Sequence, residues 1–117
     1  MFVAAHRDAR AEGTLLSARV ADAARYGTVD LAADGRIAAF REKTGLATPG
    51  AINAGMYLMD AALLDRIGKA TGPSLERDVF QTMPAGTFAA HVGDFAFLDI
   101  GVPDDLAKAE AFVAKLA

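Results

Sequence analysis

An Asp-Gly step at Asp34-Gly35 sits between two β-tolerant runs, Tyr26 to Leu31 and Arg36 to Arg41, and commits this part of the chain to an antiparallel hairpin. Helical segments on both sides of it make the fold class mixed α/β, with the hairpin as an insertion. Before the hairpin, Phe2, Val3, Ala5 and Ala9 interleave with His6, Arg7, Asp8 and Arg10 as in an amphipathic helix, which Gly13 is expected to end. Thr14 to Val20 then reads as a strand and Ala21 to Arg25 as a loop. After the hairpin comes a Gly- and Pro-bearing loop, Thr44 to Gly50. Ile52 to Met59 follows, nearly all apolar, as expected of a strand buried on both faces. Ala61 to Ile67 suits a short helix. Ser74 is placed to cap a second helix through Thr82, which Pro84 stops.

The last third of the chain predicts two strands, Phe88 to Val92 and Phe95 to Ile100, around a Gly93-Asp94 turn. Pro103 opens a helix, with Asp104 and Asp105 in its first turn and an apolar stripe of Leu106, Ala109, Val113 and Leu116. In this reading Asp99 ends a strand at the carboxyl edge of a sheet, where open α/β folds bind ligands.

Composition narrows the function classes. With 117 residues, 53% of them hydrophobic, the chain can bury one core but not two. There is no cysteine, so neither a disulfide framework nor a thiolate metal site is available. No apolar run is long enough to span a bilayer, and Met1 to Arg10 is too charged for a signal peptide, which makes the cytoplasm the expected compartment. The net charge of −3, without a basic run, argues against nucleic acid as a partner. A phosphorylated small molecule remains compatible, since it responds to a few local cations.

Four places could carry chemistry: Arg25-Tyr26-Gly27, Glu42-Lys43, Asn53-Ala54-Gly55 and Asp99. Each also has an ordinary reading. Asn53 in an apolar strand could satisfy a core hydrogen bond, since an unpaired buried amide costs about 1–3 kcal/mol. Glu42-Lys43 could be a solvated surface pair. Gly27 could serve only a positive φ. Asp99 could bond the backbone of its own turn at Gly101 or Val102. His6 and His91 are expected to be structural or exposed rather than catalytic.

Taken in order, the motifs look like one family. R-Y-G at 25–27, the Asp-Gly hairpin, Phe40 followed by Glu42-Lys43, Ile52-Asn53-Ala54-Gly55-Met56-Tyr57, Ser74-Leu75-Glu76-Arg77-Asp78 and Leu98-Asp99-Ile100-Gly101-Val102-Pro103 together resemble the sugar-1-phosphate nucleotidyltransferases. The group of closest resemblance comprises the D-glycero-D-manno-heptose 1-phosphate and mannose-1-phosphate guanylyltransferases. The resemblance implies the C-terminal part of a Rossmann-like mixed sheet that takes a sugar 1-phosphate and a nucleoside triphosphate, GTP favoured, with Mg²⁺ as cofactor, and releases pyrophosphate. It also implies site roles. Tyr26, Gly27, Glu42, Asn53 and Gly55 would bind substrate, Lys43 would meet phosphate charge, and Asp99 would be the magnesium ligand.

The pattern also departs from that family. Its members begin with a G-x-G-T-R type loop that cradles phosphates, followed by a lysine and, further on, a second metal-sharing acid, whereas Met1 to Val20 holds Gly13 as its only glycine. The expectation is therefore a sugar-binding half, residues 1–117, inactive alone, whose activity needs the missing N-terminal half, whether that is lost through a misassigned start or a truncated gene or supplied as a complementing N-terminal half. An unpaired edge beside the Asp99 strand would also invite a homo-oligomer. The alternative is a non-catalytic sugar-phosphate-binding or assembly module derived from such an enzyme.

Overall fold

In a computed structural model describing residues 1–43 and 45–116, the chain starts with α1 (Phe2–Ala9), β1 (Gly13–Val20), β2 (Thr28–Leu31), β3 (Ile37–Arg41) and β4 (Gly50–Met59). It continues through α2 (Ala61–Gly68), a π-helical turn at Leu75–Val79 extended by a 3-10 turn at Phe80–Thr82, β5 (Phe88–Gly93), α3 (Pro103–Leu106) and α4 (Ala109–Ala114). Thr44, with which the loop to Gly50 was expected to begin, lies outside the described residues. The strands form one mixed sheet in the order β3-β2-β4-β1-β5. β1 lies between β4 and β5, antiparallel to β4 from Gly13↔Met59 to Val20↔Gly50 and parallel to β5 from Gly13↔Phe88 to Ala18↔Gly93. No described helix is long and apolar enough to cross a membrane.

The hairpin forms where Asp34-Gly35 places it. Gly35 takes φ +83°, the left-handed backbone that glycine tolerates, and Asp34 Oδ1 accepts the Arg36 N–H at 3.0 Å. The tip curls back to the far side of the sheet. Arg36 bridges to Ala89, and its guanidinium donates to the carbonyls of Gly86 and Ala9 at 2.9 and 2.8 Å. That return closes the main core of Leu15, Val29, Ile37, Leu63, Val79, Phe80 and Phe88. A smaller core of Ala18, Ala23 and Ile52 lies toward the other end of β1, with Tyr26 and Phe97 against it.

Gly13 does not end α1. Arg10 takes the left-handed position at φ +52°, and Gly13 instead starts β1, where an added Cβ would collide with Phe88 and Leu63. His6 has the structural role expected of it. One ring nitrogen lies 2.7 Å from Thr14 Oγ1 and the other 3.0 Å from Asp60 Oδ1, tying α1 to β1 and to the start of α2.

Three further expectations are corrected. β4 is not buried on both faces: of its residues only Ile52 is fully buried, and Gly55 and Met56 are exposed. The cause is a bulge, since Leu15 pairs with Tyr57 but Ser17 with Asn53, so that Ala54 to Met56 stand opposite Leu16 alone. The helix expected from Ser74 to Thr82 is the π turn and 3-10 turn. It is closed at its start by a reciprocal cap in which Ser74 Oγ accepts the Arg77 N–H at 3.1 Å and Asp78 Oδ2 accepts the Ser74 N–H at 2.8 Å.

The third correction concerns the C-terminal arm. Phe95 to Ile100 is not a strand. β5 pairs with β1 on one side, and no described strand lies beside residues 95–100 to take their backbone hydrogen bonds, so composition alone cannot hold them extended in a ladder. Phe97 leaves the sheet and meets Tyr26 edge to face at 5.7 Å. The helix after Pro103 breaks into α3 and α4 because the Lys108 N–H closes a tight turn on the Asp105 carbonyl at 3.0 Å. Leu106, Val113 and Leu116 of the expected stripe are exposed.

Candidate functional site

Four segments distant in sequence wall one cavity of about 400 Å³: Arg25 to Thr28 leading into β2, Phe40 to Lys43 at the end of β3, Asn53, Gly55 and Tyr57 of β4, and residues from Ser74 to Gln81 at the π turn and the 3-10 turn after it. The sheet order explains the meeting, since β2 lies between β3 and β4 and the Gly27 carbonyl accepts the Asn53 N–H at 3.2 Å. The floor is aromatic. Phe40 stacks on the buried Phe80 at 5.0 Å, and Tyr57 tilts against Phe80 at 5.2 Å.

Gly27 is not in left-handed backbone, so a positive φ does not explain it. It is small because an added Cβ would sit 3.3 Å from the Arg41 carbonyl oxygen.

Asn53 owes its setting to the bulge. Its Oδ1 accepts the Gly55 N–H at 2.8 Å, its Nδ2 donates to Tyr57 Oη at 2.8 Å, and Gly55 itself turns the chain through the bulge at φ +79°. Its hydrogen bonds are thus made to a neighbouring turn, as in the ordinary reading, and yet the same side chain lines the cavity. Burial pushes the Tyr57 hydroxyl pKa up; the Asn53 hydrogen bond opposes that, and the nearby Glu76 charge adds to it.

Glu42 and Lys43 are exposed at the cavity rim, where Gln81 Nε2 donates to Glu42 Oε1 at 3.0 Å. The Ser74/Asp78 cap fixes the turn that brings Glu76 and Arg77 to the opposite rim. Arg25 lines the same cavity and donates to Asp105 Oδ2 at 2.8 Å. That hydrogen bond and charge raise the Arg25 pKa and hold the Asp105 carboxyl below the usual carboxylate range, Lys108 adding to the latter.

Tyr26, Gly27, Glu42, Lys43, Asn53 and Gly55 therefore share one cavity, and Asp99 does not. Asp99 is exposed, and its Oδ1 accepts the Gly101 N–H at 2.9 Å, the turn-forming role of its ordinary reading. Its expected place at a strand end is lost because that strand does not form. As a metal ligand it stands alone: among the described residues no group of three His, Cys, Asp or Glu side chains is placed to hold an ion. A lone exposed carboxylate leaves a hard dication mostly hydrated, so the residues present do not fit a magnesium site by themselves.

Tyr57, Glu76, Arg77 and Gln81 also line the cavity without having been singled out, as does Arg25, which was named with its motif but given no site role. Arg25 and Glu76 were within reach, because both sit inside the motifs R-Y-G and S-L-E-R-D. Gln81 carried no signal. Together the walls offer an amide, carboxylates and a phenol, which suit sugar hydroxyls, and cations at Arg25, Arg41, Lys43 and Arg77, which suit phosphate.

Comparison with known proteins agrees with this chemistry. A family model described as nucleotidyl transferase matches residues 1–115. A mannose-1-phosphate guanylyltransferase of Mycobacterium tuberculosis is 34% identical over 109 residues, covering 91% of this chain and 30% of that protein. A D-glycero-alpha-D-manno-heptose 1-phosphate guanylyltransferase of Aneurinibacillus thermoaerophilus is 34% identical over 106 residues, covering 90% of this chain and 45% of that protein. Among solved structures, HddC from Yersinia pseudotuberculosis superposes with a TM-score of 0.75 at 29% identity, over 95% of this chain and 48% of that one. The same protein complexed with GMP-PN gives 0.73 at 28% identity. The chain thus spans less than half the length of each of these relatives.

Proposed function

The chain belongs to the nucleotidyl transferase family, and from that premise we propose that its cavity binds the sugar 1-phosphate of a guanylyltransferase reaction. In that reaction a phosphate oxygen of the sugar 1-phosphate attacks the α-phosphorus of GTP in line, the bond to the β-phosphate oxygen breaks, and pyrophosphate leaves with a GDP-sugar as product. We assign residues 1–117 to the sugar-binding part. Turnover would also need the nucleotide-binding part that the longer relatives' extra length can supply.

One observation carries the reading: Gly27, Glu42, Lys43 and Asn53, spread over 27 positions of sequence, meet in the wall of one cavity together with Tyr57. The roles follow from the atoms offered. Glu42 accepts hydrogen bonds from sugar hydroxyls, and Asn53 presents an amide already oriented by Gly55 and Tyr57. Gly27 gives a backbone donor where a side chain would crowd the Arg41 carbonyl. Lys43 meets phosphate charge. Phosphoryl transfer asks a protein chiefly to position groups and to neutralise charge, and these groups do both for the acceptor. The names of the two curated relatives support mannose or a manno-heptose as the sugar and guanine as the base.

The test is calorimetric titration of the purified chain with mannose 1-phosphate and with manno-heptose 1-phosphate. Binding is expected in the wild type and a loss of about 10-fold or more in Glu42→Ala and in Asn53→Ala, each of which removes a polar contact to the ligand. Equal affinity in wild type and both variants would remove the site assignment.

A further inference from the structure

We propose that Arg25 is the cation that holds the phosphate in this cavity and that Asp105, on α3, positions it, so that the C-terminal arm takes part in ligand binding. The proposal rests on the sugar 1-phosphate reading and deepens it.

Arg25 has the attributes of a prepared anion-binding group. It lines the cavity, and its side chain is 57% exposed, so a ligand can reach it. Its bond to Asp105 Oδ2 engages one end of a planar fork that carries five N–H donors, and the rest of the fork can meet two phosphate oxygens side by side. The partner carboxylate is buried, with Lys108 Nζ donating to its other oxygen at 3.2 Å. Arg25, Asp105 and Lys108 together carry one net positive charge, so Asp105 orients the guanidinium without cancelling its field. The remaining acid that Arg25 feels, Asp99, is solvent-exposed and contributes least.

The backbone under Arg25 is also fixed. The Tyr26 N–H donates to the Ala23 carbonyl at 3.0 Å, and the Tyr26 ring rests on Phe97. Lys43, by contrast, brings a point charge on a flexible stem from an exposed position. A rigid fork loses less freedom on binding than a lysine, so of these two cations Arg25 is the one built to set where the phosphate sits.

The experiment uses three probes on the same chain: inorganic phosphate, mannose 1-phosphate and methyl α-mannoside, followed by calorimetry and by the Arg25 Nε–H signal in ¹⁵N NMR. In the wild type, inorganic phosphate and mannose 1-phosphate are expected to shift the Arg25 signal, and methyl α-mannoside is not. Arg25→Ala should weaken mannose 1-phosphate about 10-fold and leave methyl α-mannoside unchanged. Arg25→Lys should recover part of that loss, and Asp105→Asn should weaken the phosphorylated sugar alone. A purely structural arginine would lower thermal stability while leaving the ratio of the two sugar affinities unaltered. That result, or an Arg25 signal that no phosphate moves, overturns the proposal. Should phosphate move the Arg25 signal while mannose 1-phosphate binds no better than phosphate itself, Arg25 keeps its role and the sugar reading falls. Should mannose 1-phosphate bind equally to wild type and Arg25→Ala, the cavity keeps its reading and Arg25 loses its role.

Discussion

The sheet around the cavity and the arm from Phe95 to Leu116 are held in opposite ways. Around the cavity, β2, β3, β4 and the π turn converge on Phe80, which is 1% exposed and touches the rings of Phe40, Tyr57 and Phe88 at 4.9–5.2 Å. The arm buries no residue of α4 and leaves Ile100, Leu106, Val113 and Leu116 exposed. It is fastened by Phe95 on His91 of β5, by Phe97 on Tyr26 and by Asp105 on Arg25. Apolar burial scales with area removed from water, so the first region supplies most of its own stability and the second depends on a few side-chain contacts, those of Phe97 and Asp105 being made to the segment that borders the cavity. A region built in the first way can hold a ligand in fixed geometry, and one built in the second way can respond to it.

The largest expected effect comes from breaking the stronger side of that contrast. Phe80→Ala removes the ring on which Phe40 and Tyr57 rest, and a loss of about 3–5 kcal/mol is expected for an aromatic truncation at a fully buried position. Chemical denaturation should show it as a lower midpoint. If the loss is below about 1 kcal/mol, the cavity floor is not the stability centre and the contrast fails.

A smaller effect is expected from the bulge. At Gly55 an added Cβ meets nothing within 4 Å, so Gly55→Ala tests backbone conformation alone, at φ +79°. A cost of about 1–2 kcal/mol is expected for an L-residue there. Because the Gly55 N–H is what orients Asn53 Oδ1, the same variant should also weaken mannose 1-phosphate in calorimetry. A stability loss without any change in binding would separate the bulge from the site.

How far each region was legible follows from the same contrast. The hairpin tip, α2 and the Pro103 helix start carry their instructions within a few residues: Asp34-Gly35 for the turn, the short run Ala61 to Ile67 for α2, proline at the first helical position. The cavity residues were legible through the family resemblance that R-Y-G, Glu42-Lys43 and N-A-G carry together, and the sheet order, which the sequence did not state, is what brings them to one place. Phe95 to Ile100 misled because its composition suits a strand, and composition does not say whether a neighbouring strand exists. The bulge in β4 was hidden because an apolar run reads the same whether or not its register slips. Arg25 with Asp105 could not be read at all, since an ion pair between residues 80 positions apart leaves no local trace.

The smallest expected effect sharpens the contrast by placing the two regions at opposite ends of the pH scale. Burial raises the Tyr57 pKa in the folded chain, so its contribution is complete below the unfolded tyrosine value of about 10 and is lost as pH rises through the folded value. Asp105 runs the other way. Its hydrogen bonds to Arg25 and Lys108 depress its folded pKa, so its contribution is complete above the unfolded aspartate value of about 4 and is lost as pH falls through the folded one. Acid should therefore loosen the arm first. Below about pH 4 the NMR signals of Phe97 and Val113 should shift while those of Val29 and Ile52, inside the sheet, stay in place. Asp105→Asn cannot titrate, so in that variant the arm signals should lose this step while other acid-sensitive signals keep theirs. If arm and sheet signals instead move together in both proteins, the arm is part of one cooperative unit with the cavity. The Arg25–Asp105 contact would then be one bond among many and no longer the joint on which the arm turns.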